Sequence, residues 1–267
     1  MKELTLQELK EIEFSILKEF DAFCKENNIR YFLAYGTLLG AIRYKKFIPW
    51  DDDVDVLVPR EDYNRLLTLF RDSEKYRLYA YEKDSRYLYP FAKICDTETV
   101  KCEFGYDNGV DLGVDIDIFP LDAWDDDLEK AKKEMKYIKT NMEYLRLTKL
   151  KKPDSANPIK RFVKGIVMLF CKMHGGEYYI KKIINATCKE GQTGNNFVGC
   201  KTWCVYGDRG IHRAQAFASA VEIEFEGQMF PAPVGYDEYL TDLYGDYLPE
   251  PPKEKQKTHH TFKAYRK

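Results

Sequence analysis

The chain has 267 residues, of which 44% are apolar and 15% aromatic, so it can bury a sizeable core and is not predicted to be disordered. Its 42 basic and 44 acidic side chains nearly balance, and the formal net charge of −2 excludes a general attraction to nucleic acid. No apolar run reaches the roughly 20 residues that span a bilayer, and no apolar leader opens the chain. We therefore expect a cytoplasmic protein.

The first 122 residues predict alternating helices and strands. Thr5 and Glu8 form a capping-box pattern that begins an amphipathic helix, which ends at Asn27. The elements predicted next are a strand at 29–34, a helix from Gly36 toward Arg43, a strand at 54–58, a helix at 61–70, and strands at 76–81, 90–95, 99–104 and 114–119, the last stopped by Pro120. This order predicts an α/β (α+β) fold with a mixed-sheet core over 1–122.

Residues 123–267 predict a helical and mixed annex that packs on this core as one compact unit. Helices are expected over 125–149, 159–172 and 177–188, followed by a two-stranded arm turning at Gly227 and a short helix at 236–244. The tail over 249–267 is polar and is expected to dock on the rest of the chain.

The helix over 159–172 mixes basic and apolar residues. Such a helix fits peripheral contact with an anionic membrane surface. It also fits a core helix with a basic outer face, and we favour that second interpretation from the sequence.

Seven cysteines, an odd number at loose spacing, indicate reduced thiols rather than a disulfide framework. Cys200 and Cys204 lie four residues apart, but no second Cys or His pair at zinc-site spacing accompanies them. We interpret them as buried thiols and assign them no role.

A dense acidic cluster is the strongest functional signal in the chain. Asp51, Asp52, Asp53 and Asp55 place four carboxylates in five positions, where they repel one another unless a cation intervenes. Residues i and i+2 of a strand share a face, so Asp53 and Asp55 are predicted to bind one hard cation, Mg²⁺ or alternatively Mn²⁺. An EF-hand loop is disfavoured because Val56 stands where that loop requires glycine. A solvated acidic loop is the alternative without a ligand.

A second acidic strand carries Asp115 and Asp117 on one face. If it lies beside the first, a third carboxylate completes the site, either as a metal ligand or as the base for an acceptor hydroxyl. Asp117 is the preferred residue, and Asp115 stays open as the alternative. Charges that protect an edge strand would also explain this pattern.

Gly36 and Thr37 follow a predicted strand and open a predicted helix. Free backbone N–H groups at a helix start favour an anion, and glycine allows a phosphate to approach closely. We therefore predict that this turn cradles a phosphate.

Longer strings strengthen this interpretation. The sequence closely resembles the LicD family of phosphocholine transferases, to which fukutin-type proteins are related, within the nucleotidyltransferase superfamily. The matching strings span nearly the whole chain: YGTLLGAIR at 35–43, FIPWDDDVDV at 47–56, PREDY at 59–63, DIDIFPLD at 115–122, FEG at 225–227, YGDY at 244–247, the prolines at 251–252 and the histidines at 259–260. Tyr44 and Lys46 depart from the family, which often has His and Gly there.

The resemblance implies a nucleotidyltransferase-like core and a Mg²⁺-dependent enzyme. Such an enzyme would move phosphocholine from CDP-choline to a sugar hydroxyl of a cell-surface glycan precursor, teichoic acid or lipopolysaccharide. The acceptor, if lipid-linked, would place the enzyme at the inner face of the membrane. By analogy, Asp53, Asp55 and Asp117 or Asp115 would bind the metal and act in catalysis, while Gly36, Thr37, Arg43 and Lys93 would bind phosphate.

Two other classes remain as alternatives. A nucleotidyltransferase, or a glycosyltransferase with the same Asp-x-Asp pattern, would release pyrophosphate or a nucleoside diphosphate, whereas phosphocholine transfer from CDP-choline releases CMP. A non-catalytic metal- or glycan-binding module would tolerate loss of Asp53. The motifs name neither the donor head group, the acceptor glycan nor the oligomeric state.

Overall fold

A mixed sheet with helices around it begins the chain, and a block of three helices follows. The structure is a computed structural model that describes residues 1–107, 109–188, 196–258 and 262–267. The α-helices are α1 Leu6–Glu26, α2 Tyr35–Tyr44, α3 Arg60–Leu69, α4 Leu128–Lys149, α5 Pro158–His174, α6 Gly176–Thr187 and α7 Tyr236–Tyr244. The strands are β1 Lys2–Glu3, β2 Phe32–Leu33, β3 Asp55–Pro59, β4 Tyr76–Tyr79, β5 Ala92–Asp96, β6 Thr99–Glu103, β7 Asp115–Ala123, β8 Phe197–Gly199, β9 His212–Arg213, β10 Ala220–Phe225, β11 Gln228–Pro233 and β12 Phe262–Arg266.

Local sequence signals explain the first helix. The Thr5 hydroxyl accepts from the Glu8 N–H, and the Glu8 carboxylate accepts from the Thr5 N–H, which is the predicted capping box. The helix ends at Asn27, which caps it. Ile12, Ile16 and Phe20 of its apolar stripe are buried, and α1 packs against β5 and β7.

The main sheet has the order β2-β3-β7-β5-β4. In addition, β8 pairs with the end of β7 and with β9. The β3 and β7 strands run parallel, whereas β2–β3, β7–β5 and β5–β4 are antiparallel pairs. This mixed sheet with surrounding helices confirms the predicted α/β (α+β) class. It also makes the two acidic strands, β3 and β7, direct neighbours.

Pro120 does not stop β7, so that prediction is wrong. The strand continues through Pro120 to Ala123. On one edge of β7, the β5 pairing ends at Ile118 and the β8 pairing begins at Asp122. Pro120 lies in the gap between these ladders, where a missing N–H group is tolerated.

The two larger apolar cores of the described residues do not follow a simple cut at residue 122. The first core joins α1, α2 and the main sheet to the later hairpin and α7, through residues such as Phe225, Phe230 and Leu240. The second lies among α4, α5 and α6 and includes Ile138, Ile180 and Trp124. The proposed division into 1–122 and 123–267 stays a prediction.

The C-terminal tail docks by strand pairing. β12 lies between β1 and β6 and is antiparallel to both. The tail thereby joins the first residues of the chain to the strand that carries Lys101. The histidines at 259–260, which belong to the family-like strings, fall outside the described residues.

The α5 helix departs from the favoured sequence interpretation. Only Met168 and Cys171 of this helix are buried, while most of its large apolar side chains are exposed. It is therefore not a core helix with a basic outer face. No helix within the described ranges is long and apolar enough to cross a membrane.

Candidate active site

A row of charged residues crosses three adjacent strands of the main sheet. Asp55 begins β3 and lies directly opposite Asp117 of the parallel strand β7. On the other side of β7, Lys93 of β5 lies opposite Asp117. Residues opposite each other in a sheet have neighbouring side chains, so the row Asp55–Asp117–Lys93 brings two carboxylates and an ammonium together.

The acidic loop before β3 forms a compact carboxylate group. Asp51, Asp52 and Asp53 each offer an oxygen, and these oxygens lie within 4.8 Å of one another. Asp53 precedes the strand, which starts at Asp55, so the argument that both share a strand face does not describe the fold. The Asp53 charge is one of the main causes of the raised pKa of Asp55, which indicates that the two carboxylates lie near each other.

Gly36 and Thr37 position this acidic segment. The Thr37 hydroxyl is buried and accepts a hydrogen bond from the Asp55 N–H at 2.8 Å. A side chain on Gly36 would place its Cβ 2.6 Å from Oδ2 of Asp51, so the glycine allows the carboxylate to lie against the helix. Their contacts are thus with the acidic loop and β3. Phosphate binding by this turn stays a prediction.

Asp115 and Asp117 share a face, as predicted, because both pair with the same lysine. The Lys93 ammonium lies 2.5 Å from Oδ2 of Asp115 and also contacts Oδ1 of Asp117. Lys101 contacts the second oxygen of Asp115 at 2.7 Å. Both oxygens of Asp115 are therefore held by lysines. A metal-ligand role for Asp115 would require one of these lysines to move.

Charge separates the two aspartates. Burial would raise the pKa of Asp115, but the Lys101 and Lys93 ammoniums outweigh it and hold that pKa well below its usual range. Burial raises the pKa of Asp117 to about 6, because Lys93 only partly opposes it and the Asp115 carboxylate adds to it. The Asp117 side chain is also 21% exposed, against 1% for Asp115. These features favour Asp117 as the third acidic group of the site.

The acidic residues fit a hard divalent cation. Burial raises the pKa of Asp55 well above its ordinary value, and the neighbouring Asp53 and Asp117 carboxylates raise it further. A bound cation would remove this mutual repulsion. Carboxylate oxygens are the ligands that Mg²⁺ and Mn²⁺ prefer. The group of Asp51, Asp52 and Asp53, together with Asp55, therefore suits such an ion.

A cavity of about 650 Å³ opens beside this acidic row. It lies between β5, β6 and β7 on one side and the C-terminal half of α4 on the other. Its acidic end contains Asp53, Asp115 and Asp117, and its wall carries five basic side chains: Lys93, Lys101, Lys139, Arg146 and Lys149. The lining also includes Glu103 and Glu143, and three of the basic groups already pair with lining carboxylates: Lys93 and Lys101 with Asp115, and Arg146 with Glu143. The cavity thus carries both acidic and basic side chains.

Aromatic rings complete the cavity wall. The rings that line it are those of Tyr89, Phe91, Tyr106, Trp203 and Phe262. Lys149 places its ammonium 3.3 Å from the centre of the Tyr89 ring, and Lys101 lies 4.4 Å from the centre of the Phe262 ring, so two of these rings each have a lysine over one face.

Comparison with known proteins identifies the family. Residues 28–153 match the family model described as LicD/FKTN/FKRP, nucleotidyltransferase domain. The lipopolysaccharide cholinephosphotransferase LicD of Haemophilus influenzae is 32% identical over 273 residues, an alignment that covers 99% of each chain. The chain belongs to the LicD family. This confirms the resemblance read from the sequence strings.

Shorter matches link two further proteins to the LicD family chain. An uncharacterized protein of Rickettsia typhi is 36% identical over 61 residues, which cover 22% of this chain and 20% of the relative. An uncharacterized protein of Rickettsia prowazekii is 41% identical over 49 residues, 18% of each chain.

Arg43 of this LicD family member lies away from the cavity. It lies in the last turn of α2, at the opposite end from Gly36. Its guanidinium donates to the Tyr247 carbonyl and, at 2.9 Å, to the Pro249 carbonyl. Arg43 does not line the cavity, so the structure does not bring it to the phosphate-binding set suggested by the resemblance. Its contacts tie the segment after α7 to α2.

Lys101, Arg146 and Lys149 are cavity residues that the sequence interpretation missed. Lys101 is one of several half-buried residues of β6. Arg146 and Lys149 lie three residues apart near the end of α4, which the sequence predicted only as a charged helix. Their spacing on one helix face was the one available signal.

The Cys200–Cys204 pair fits the buried-thiol interpretation. Both residues are buried, and the Cys204 thiol donates to the Lys201 carbonyl at 3.0 Å. Burial raises the pKa of Cys200 to about 12. Protonated, buried thiols are poor metal ligands.

Proposed function

We propose that this protein is a transferase that moves phosphocholine from CDP-choline to a sugar hydroxyl of a lipopolysaccharide-type glycan. Membership of the LicD family supports the class of reaction, and the Haemophilus influenzae relative is named a lipopolysaccharide cholinephosphotransferase. The observation that carries the proposal in this chain is the row Asp55–Asp117–Lys93 at the edge of a cavity with a basic wall.

The basic wall suits a nucleoside diphosphate donor. Two linked phosphates carry negative charge, and Lys101, Lys149 and Arg146 line the same cavity as the acidic row. Lysine and arginine bind phosphate through charge-assisted hydrogen bonds. The cavity volume of about 650 Å³ lies within the usual range for small-molecule sites, about 300–1,000 Å³.

The aromatic part of the wall suits the head group. A quaternary ammonium cannot donate a hydrogen bond and is held over aromatic faces. Tyr106, Trp203 and Phe262 line the cavity together with Tyr89, whose ring already faces Lys149. We therefore propose that the choline group contacts rings of this wall and that the phosphates contact its basic side chains.

The acidic loop would hold the metal. Asp51, Asp52 and Asp53 have oxygens close enough to share one ion, and Asp55 follows them at the start of β3. When bound, Mg²⁺ or Mn²⁺ neutralises charge on the phosphates of the donor. Thr37 fixes the position of Asp55 through its backbone N–H, and Gly36 leaves room for Asp51.

Asp117 is suited to the acceptor. It faces the cavity, pairs with Lys93 through Oδ1 and lies opposite Asp55. A carboxylate in that position can take the proton of a sugar hydroxyl as it attacks the phosphorus of the donor. Lys93, held by Asp115, orients the carboxylate. The alternative role of Asp117 is that of a further metal ligand.

The proposal is tested by the released product. Purified protein, CDP-choline and a lipopolysaccharide acceptor should yield CMP in the presence of Mg²⁺, and chelation should stop the release. Asp55→Asn and Asp117→Asn should each lower turnover by about a hundredfold or more while the thermal transition persists. Asp111→Asn, the same chemical change at an exposed residue away from the cavity lining, is the matched control.

Other products would assign another function. Pyrophosphate released from a nucleoside triphosphate would indicate a nucleotidyltransferase, and a nucleoside diphosphate released from a nucleotide sugar would indicate a glycosyltransferase. Full biological activity of Asp55→Asn in cells would indicate a non-catalytic binding module.

A further inference from the structure

One helix presents its apolar stripe to solvent rather than to the protein. The exposed apolar residues of α5 recur every three or four positions and so share one helix face. This α5 stripe consists of Ile159, Phe162, Val163, Ile166, Val167, Leu169, Phe170 and Met173. Phe162 and Met173 are 71% and 73% exposed. From Ile159 to Met173 the stripe is about 21 Å long at 1.5 Å per residue. A soluble surface rarely leaves such a stripe uncovered.

The charge of the same helix indicates what covers it. Residues Pro158–His174 include Lys160, Arg161, Lys164 and Lys172 but no aspartate or glutamate. The rest of the chain is not basic, because the formal net charge of the whole protein is −2. An exposed apolar stripe flanked only by basic residues is the pattern of helices that lie in the interface of anionic membranes.

The position of α5 connects it to the cavity. Arg146 lines the cavity and lies 3.5 Å from Asp154, in the loop between α4 and α5. Lys164 of α5 pairs with the same Asp154 carboxylate. Asp154 thus links Arg146 of the cavity wall to Lys164 of the helix that carries the stripe.

We propose that α5 docks on an anionic phospholipid surface. The α5 stripe would enter the boundary between headgroups and acyl chains, while the exposed Lys160 and Lys172 would contact lipid phosphates. A second copy of the chain fits this face less well, because two such helices side by side would bring eight basic residues together without an acidic residue from either helix. Docking would present the cavity to a membrane-bound acceptor, a consequence that rests on the proposed function.

Vesicle binding tests the proposal without any substrate. The full chain should co-sediment with vesicles of phosphatidylcholine and phosphatidylglycerol in equal parts, and much less with phosphatidylcholine alone. High salt should weaken the binding. Leu169→Glu should reduce partitioning by about tenfold or more, since burial of one leucine side chain is lost. Leu248→Glu is the matched control, because Leu248 is 63% exposed and Leu169 is 62% exposed.

A second pair of variants tests the charge. Lys160→Glu should weaken binding to the anionic vesicles by about fivefold or more, whereas Lys133→Glu, on the exposed side of α4, should leave it unchanged. CMP release with a deacylated, soluble glycan acceptor should be equal in Leu169→Glu and wild type. Failure of vesicle binding and failure of phosphocholine transfer are therefore read in separate assays.

Several results would overturn the proposal. These are equal binding by Leu169→Glu and wild type, absence of binding to the anionic vesicles, or equal binding to neutral and anionic vesicles. A dimer in light scattering that Leu169→Glu dissociates, without vesicle binding by the wild type, would assign the α5 stripe to a second copy of the chain.

Discussion

Lys149 combines a folding penalty with a position in the cavity. It is the last residue of α4, is 7% exposed and places its ammonium over the Tyr89 ring. Burial lowers its pKa from the ordinary 10.5 to about 7; Glu103 opposes this change and Lys93 adds to it. At 1.36 kcal/mol per pH unit, that difference sets an upper limit of about 5 kcal/mol on the destabilisation by this one charge.

Replacement of Lys149 by methionine should therefore stabilise the protein. Methionine keeps most of the apolar stem and removes the charge. We expect the free energy of unfolding at pH 7 to rise by about 2–4 kcal/mol, with a rise in Tm of about 4–12 °C. Turnover should change in the opposite direction, because the proposed function assigns this ammonium to the phosphates of the donor, and KM for the donor should rise by about tenfold.

The pH dependence has a definite sign. Between pH 7 and about 10.5 the unfolded chain binds a proton at Lys149 that the folded chain does not, so the wild type gains stability with rising pH from this group. Below pH 7 both states are protonated, and the penalty is at its full size. The stabilisation of Lys149→Met should thus be largest at and below pH 7 and should shrink toward pH 10. The charged groups that act on Lys149 are Glu103 on β6, Lys93 on β5 and Asp107 after β6.

Thermal or urea unfolding of both proteins from pH 6 to 10, with donor KM measured at each pH, checks this reasoning. Lys152→Met, an exposed lysine in the loop after α4, is the control for removal of one positive charge. A less stable Lys149→Met protein at pH 7 would refute the argument from burial. An unchanged donor KM would refute the assignment of the basic wall to the phosphates.

Three further substitutions distinguish residues needed for turnover from residues that stabilise the fold. Gly36→Ala should lower turnover by about tenfold or more with less than about 1 kcal/mol lost in stability, since its Cβ displaces only the flexible Asp51 carboxylate, as calorimetry and CMP release would show. Thr37→Val should cost about 1–3 kcal/mol and also lower turnover, because the buried N–H that begins β3 loses its acceptor; Thr37→Ser should retain both. Arg60→Ala should cost about 3–5 kcal/mol in urea unfolding by leaving Asp122 buried and unpaired, while turnover of the folded fraction persists.

Local patterns predicted the elements, and the register of the sheet decided the site. The capping box at Thr5 and the alternation around Asp115 and Asp117 are short-range signals, and both predicted features are present. The contact between Lys93 and both aspartates depends on the pairing of β5 with β7, which links residues far apart in sequence. Lys149 reaches the same cavity through the packing of α4, and no motif marks a buried lysine.

The α5 helix and Asp53 show a different limit of prediction from sequence patterns. The same mixture of basic and apolar residues predicts a core helix or an interfacial one, and only the direction in which the apolar stripe points distinguishes them. At Asp53 the alternation rule was applied two residues before the start of the strand, because β3 begins at Asp55. Strand ends are set by pairing partners rather than by the residues themselves.

Two family-like strings from late in the sequence bind the chain just before the acidic loop. In the FEG string, the Glu226 carboxylate accepts from the Phe47 N–H at 3.1 Å, and the Glu226 N–H donates to the Lys45 carbonyl at 2.8 Å. In the same region, Arg43 donates to the carbonyls of Tyr247, the last residue of the YGDY string, and of Pro249.

The chain between Arg43 and the acidic loop is therefore clamped by two elements that lie about 200 residues later in sequence, the β10–β11 hairpin and the segment after α7. The acidic loop and Asp55 of β3 place four carboxylates in five positions, and like charges this close repel one another. The FEG and YGDY strings thus help to keep these like charges together, at the place where a divalent cation and a phosphate are expected to bind.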